Sequence, residues 1–127
     1  MIIEYSKKYI EDIKDLLVEL QNYIVEIDRE KYNIITDGYG EKYLKKTIEE
    51  VEKNDGKIFL YLENNKVVGL IVGIINNEET SDYDFKAPKR GRITELIVSK
   101  NIRSKGIGSM LLEEMTKYLK EKIVRIF

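Results

Sequence analysis

The most constraining stretch of this chain runs from residue 93 to residue 121. A short apolar run, Ile93 to Val98, is followed within a few residues by Arg103-Ser104-Lys105-Gly106-Ile107-Gly108, and a strongly periodic segment begins at Ile107. A strand, a basic glycine turn and a helix therefore come in direct succession. That order demands a layered fold, because the helix stripe must bury itself against the sheet that holds the strand. The turn also exposes backbone N–H groups at a helix start, where the helix dipole favours an anion. Two glycines would let a ligand approach the backbone without Cβ hindrance. A plain strand-to-helix connection, with glycines that only ease the turn, accounts for these six residues equally well.

Composition narrows the chemistry. The 127 residues contain no histidine and no cysteine. Disulfides, thiolate zinc sites, histidine ligation and Ser-His-Asp or Cys-His catalysis are thereby excluded, and no metal is expected. Any general base must be Glu, Asp, Lys, Tyr or a water. The length implies a single domain over residues 1–127, and 43% hydrophobic residues are enough for a core. Met1-Ile2-Ile3-Glu4 lacks the features of a signal peptide, and no apolar run approaches a membrane span. A cytoplasmic protein with no membrane partner is the expectation.

The formal charge of −1 conceals an asymmetry. Residues 1–88 carry 12 basic and 19 acidic side chains, a net of −7, and residues 89–127 carry 10 and 4, a net of +6. The basic part holds the glycine turn, which suits a phosphate-bearing ligand. The acidic part suits a cation, although solvated helix faces explain it as well. Nucleic-acid binding through residues 89–127 is not expected, since no aromatic stacking strand accompanies the charge.

Met1 to Tyr5 reads as a strand, with Ser6 placed to cap a helix over residues 7–27. That helix shows Ile10, Ile13, Leu17, Leu20, Ile24 and Ile27 at spacings of three and four. A polar connection over 28–41 precedes a second helix, Glu41 to Lys53, with the stripe Leu44, Ile48 and Val51. Asn54-Asp55-Gly56 ends it. Lys57 to Leu62 and Val67 to Ile75 form a hairpin about Glu63-Asn64-Asn65-Lys66, because Asn tolerates positive φ. Gly69 and Gly73 mark either a close approach or bulges. Residues 76–91 form a polar loop with Glu78, Glu79, Asp82 and Asp84, either near a substrate or at an idle hairpin tip. In the strand Arg92 to Val98, alternation puts Thr94, Leu96 and Val98 on one face and Ile93, Glu95 and Ile97 on the other. Glu95, a carboxylate in an apolar strand, needs a partner, a solvated cleft or a function. From Ile107 the stripe Ile107, Met110, Leu111, Met115, Tyr118 and Leu119 defines a helix, and Ile123 to Phe127 begins a further strand. The order β-α-α-β-β-β-α-β gives an α/β (α+β) fold, with helices over a mixed, mostly antiparallel sheet.

The turn is neither a P-loop, since G-x-x-x-x-G-K-[ST] is absent, nor a dinucleotide fingerprint, since residue 111 is Leu111 and not glycine. What remains is a basic residue, two spacers and G-x-G, after an L-x-V strand and before an amphipathic helix. The run Glu95 to Leu112 closely resembles the coenzyme A-binding motif of the GCN5-related N-acetyltransferases, and the order of elements is similar to that fold from its first strand through its fifth.

The resemblance implies acetyl transfer from acetyl-CoA, as co-substrate, to a primary amine by direct attack. It implies that Arg103, Ser104, Lys105, Gly106, Ile107, Gly108 and Ser109 bind the diphosphate, chiefly through backbone amides. Leu96, Ile97 and Val98 match the strand whose backbone pairs with the pantetheine arm, and the Val98 N–H corresponds to the donor to the thioester carbonyl. Glu95 resembles the catalytic base; an exposed acid, or a charge partner of Arg92 or Arg103, is the other reading. The family continues past its fifth strand with a helix bearing an Asn and a Tyr and with a last strand pair, whereas this sequence stops at Phe127. Tyr118 does not correspond to that tyrosine, so no general acid is matched. The domain is therefore expected to be C-terminally incomplete. An open strand edge would favour a homodimer or completion by a partner. The acceptor is expected to be a small-molecule or peptide amine. The alternative is a non-catalytic CoA- or acyl-CoA-binding module, or an inactive truncated remnant.

Overall fold

The computed structural model of the chain describes residues 1–27, 39–76, 90–100 and 106–124. β1 (Ile2–Glu4) leads through a 3-10 turn, Lys7–Tyr9, into α1 (Ile10–Ile27). α2 (Tyr39–Lys53), β2 (Lys57–Glu63), β3 (Lys66–Asn76), β4 (Arg90–Val98) and α3 (Ile107–Val124) follow. The Ser6 side chain accepts from the Lys8 N–H, as its position before the first helical turn predicts. Asp55 closes α2 at φ 49°, and Asn64 and Asn65 make the β2–β3 hairpin at φ 53° and 63°. Both central residues of that turn are left-handed, the geometry whose twist matches the flanking strands.

The strands form one antiparallel sheet in the order β1-β2-β3-β4, with helices on both faces. α1 and α2 cover one face: Ile13, Leu16, Leu17 and Leu44 pack on Ile58, Leu60, Leu62, Leu70, Val72 and Ile97. α3 covers the other: Ile107, Leu111, Met115 and Leu119 pack on Phe59, Ile71 and Ile75. Among the described residues no charged or polar side chain is fully buried. The hydrophobic stripes alone therefore decide which face each element presents.

α3 lies close to the sheet because glycines open a track for it. A Cβ on Gly69 would come within 3.0 Å of Leu111 and 3.1 Å of Ile107. On Gly73 it would meet the Met115 sulfur at 2.5 Å, and on Gly91 the Leu119 side chain at 3.0 Å. Gly69 and Gly73 each also adjoin a register shift, one between Tyr61 and Leu62 on β2 and one between Val72 and Gly73 on β3. Close approach and bulge are thus both realised at these glycines.

The second shift corrects the expected faces of β4. Val72 lies opposite Glu95 and Gly73 opposite Ile93, which leaves Thr94 as the extra residue. Ile93 therefore joins Leu96 and Val98 on the α3 side. Arg92 and Glu95 both face α1 and α2. A second correction concerns the fifth strand: Ile123 and Val124 extend α3, so the expected strand does not begin there. Residues 125–127 lie outside the described residues, as do 28–38 and 77–89, which hold most of the two polar loops read from the sequence.

Candidate active site

β4 is an edge strand among the described residues. Ser99 donates its N–H to the Val68 carbonyl at 2.8 Å, so the 68–99 pair is hydrogen-bonded. In an antiparallel ladder such pairs alternate with pairs whose N–H and C=O groups point away from each other. By the register Gly69 opposite Val98 and Ile71 opposite Leu96, Val98 and Leu96 turn their N–H groups to the outer edge of the sheet. Their side chains face α3, where Leu96 stays 43% exposed and Val98 packs against the cluster. Ile97 alternates to the opposite face and is a core residue at 3% exposure.

α3 begins beside the end of this edge. Gly106 has φ +75°, a left-handed conformation that favours glycine, and none of the described residues beyond its chain neighbours lies within 4 Å of where its Cβ would be. A Cβ on Gly108 would stand 3.7 Å from the Val98 side chain. Ile107 is buried between them. The Met110 N–H bonds to the Gly106 carbonyl at 3.1 Å. The N–H groups of Ile107, Gly108 and Ser109 therefore belong to the first turn, which has no intrahelical acceptor for them. The first turns of α1 and α2 carry Glu11, Asp12 and Glu41; that of α3 carries no acid. A left-handed glycine, first-turn amides and a first turn without an acid fit an anion such as a diphosphate at this end of the sheet.

On the other face of β4, Glu95 is half-buried and accepts a hydrogen bond from the Tyr43 hydroxyl of α2. Burial holds its carboxyl above the ordinary carboxylate range, because removal from water disfavours the charged form. Tyr43, Lys46, Thr47, Glu50, Arg92, Thr94 and Glu95 line a recess of about 260 Å³. Glu95 and Val98 are three residues apart, about 10 Å along a strand. The acid and the outward N–H thus flank one length of edge.

The end of β4 is tied down from α1. Glu19 accepts from the Lys100 N–H at 3.0 Å and from the Ser99 hydroxyl at 3.3 Å. The chain is thereby anchored just before the segment 101–105, which lies outside the described residues.

Residues 20–127 match the acetyltransferase (GNAT) family. The chain belongs to that family. Solved structures share its fold. The Vibrio fischeri acetyltransferase is 15% identical with a TM-score of 0.72, over 96% of this chain and 88% of that one. A GNAT-family acetyltransferase from Staphylococcus aureus is 23% identical with a TM-score of 0.67, over 96% and 67%. The aminoglycoside 6'-N-acetyltransferase AAC(6')-Ig from Acinetobacter haemolyticus is 13% identical with a TM-score of 0.66, over 95% and 72%. No curated protein sequence matches this one.

The residues that the sequence singles out in this GNAT chain separate by location. Glu95, Leu96, Ile97 and Val98 lie consecutively on the edge strand, and Gly106, Ile107, Gly108 and Ser109 open α3 beside its end. Arg103, Ser104 and Lys105 lie outside the described residues. Tyr43, Thr94, Lys46 and Glu50 escaped sequence reasoning. Tyr43 and Thr47 each precede a stripe position of α2, Leu44 and Ile48, so they border the buried face. That flanking position is the one signal of Tyr43 that the sequence carries.

Proposed function

We propose that this protein transfers an acetyl group from acetyl-CoA to a primary amine by direct attack. The observation that carries the reading is the shared edge: the first turn of α3 and the half-buried Glu95 both border β4. Acetyl-CoA supplies the activated acyl group as a thioester. The first-turn amides of Ile107, Gly108 and Ser109, with Arg103, Ser104 and Lys105, bind its diphosphate. Leu96 and Val98 hold the pantetheine arm along the strand edge, and the Val98 N–H polarises the thioester carbonyl. The amine nitrogen forms the new C–N bond as the C–S bond breaks. Glu95 takes the amine proton, directly or through a water, and the departing thiolate is protonated from solvent. No group in the chain needs to become covalently attached, so positioning and carbonyl polarisation supply the rate.

Thiol release from acetyl-CoA, followed across a panel of amines, tests this. Turnover that depends on both amine and Glu95 is the expected result. Tight CoA binding without release on any amine would replace the reading with a CoA-binding module.

A further inference from the structure

The recess beside Glu95 holds more charge than proton transfer requires. Arg92 and Lys46 bring two cations to it, and Glu50 adds a second acid. Arg92 is there only because of the bulge at Thr94. Residues 92 and 95 of a regular strand face opposite sides, and the one extra residue puts both on the side of α1 and α2. The ion pairs among the described residues are Lys14–Glu11 and Lys57–Glu4, so neither recess cation is neutralised by a carboxylate within 4.0 Å. Arg92 and Lys46 are exposed, which leaves their charged ends accessible to a solute.

Consider what could sit against such a surface. A polyamine would bring further positive charge to two cations. A plain alkylamine would leave both cations unused. A molecule with an amine and a carboxylate can set its amine near Glu95 and its carboxylate on Arg92, whose planar fork matches a carboxylate with two parallel hydrogen bonds. The volume of about 260 Å³ lies below the roughly 300–1,000 Å³ of sites for drug-sized ligands, so the enclosed part of the acceptor is small.

We propose that the acceptor is a small amine that also carries a carboxylate, an amino-acid-like molecule whose carboxylate is held by Arg92 and Lys46 beside Glu95. This deepens the acetyl-transfer reading and rests on it.

The test uses L-amino acids and the amines left when each loses its carboxylate. Binding of each pair to the CoA-saturated full chain is measured by calorimetry, and thiol release is measured in parallel. At least one amino acid should bind about tenfold tighter than its decarboxylated partner, the size expected of hydrogen bonds to a charged group. Arg92→Gln should bring that ratio close to one, and Arg92→Lys should retain part of it. Equal or tighter binding of the decarboxylated partners, no binding by any amino acid, or an unchanged ratio in R92Q would overturn the proposal. Discrimination in binding with no thiol release on any amine would remove acetyl transfer and keep the carboxylate subsite. Thiol release without discrimination would do the reverse.

Discussion

In the proposed reaction Glu95 is the base. As a base it works in its ionised form, so turnover should rise with pH through its pKa. Burial raises that pKa, which places the acid limb of kcat/KM above the range of an exposed glutamate. The groups that face it, Tyr43, Lys46, Glu50 and Arg92, are the ones whose replacement should move the limb. Glu95→Gln should lower kcat by about 100-fold or more, the usual contribution of a general base, and abolish the limb. Stability should respond in the opposite sense. A carboxyl with a raised folded pKa contributes fully below its unfolded pKa, and that contribution is lost as pH rises through the folded pKa. E95Q should therefore unfold in urea at neutral pH no more easily than the parent chain. A variant that is both inactive and clearly less stable would show Glu95 to be structural. Gly108→Glu tests the opposite end of the edge. Its Cβ has room, and its carboxylate would stand at the positive end of a helix where the diphosphate is expected. Loss of CoA binding with a normal unfolding transition is the expected outcome, and undiminished CoA affinity in a folded variant would reject the site. Gly106→Glu should also lose CoA, but it adds left-handed strain of about 1–2 kcal/mol and is the less clean probe.

At the scale of elements, the glycines that let α3 and the β2 entry approach the sheet make a graded set. A Cβ on Gly56 would lie 2.4 Å from the Gly73 carbonyl oxygen, a backbone atom in the middle of β3 that has no rotamer to escape into. A Cβ on Gly73 meets the Met115 thioether, which can swing aside. Gly56→Ala should therefore cost about 2–3 kcal/mol, at the upper end of overpacking, and Gly73→Ala about 1 kcal/mol. Urea titration of both variants checks the order, and an equal cost would contradict it. These contacts also show where sequence reasoning ends. The α1 and α2 stripes, the Asn64–Asn65 turn and the α3 stripe are local patterns, and each predicted its element to within a few residues. The bulge at Thr94 is not local: it exists because β3 and β4 pair out of step at Gly73. The placement of Ile93 with Glu95 failed for that reason, and Arg92 joined the recess for the same one. The Tyr43–Glu95 bond spans 52 residues and depends on how α2 crosses the sheet, which no spacing encodes. At Ile123 an apolar run fits a helix stripe as well as a strand, and α3 continues through it to Val124.

At the scale of the molecule, the charge asymmetry acquires a place. The acidic part supplies α1, α2 and the first three strands, and the basic part supplies the edge strand and α3. The net charge of −1 therefore resolves into a sheet that is more positive toward the β4 side, where CoA would lie. A ligand that binds there and only to the folded chain must stabilise the whole domain. At 100 times its dissociation constant, CoA should add about 2.7 kcal/mol. For a domain of this size that is a rise in Tm on the order of 10 °C. Charge attraction between the basic side and the diphosphate is screened by salt, since the Debye length shrinks from about 10 Å at 0.1 M to about 3 Å at 1 M. The CoA-induced shift at fixed CoA should therefore shrink as salt is raised, and G108E should show little shift at any salt. Thermal scans with and without CoA across that salt range provide the measurement. A shift that persists in G108E would place CoA elsewhere on the molecule, and a salt-independent shift would deny the basic side a role in holding it.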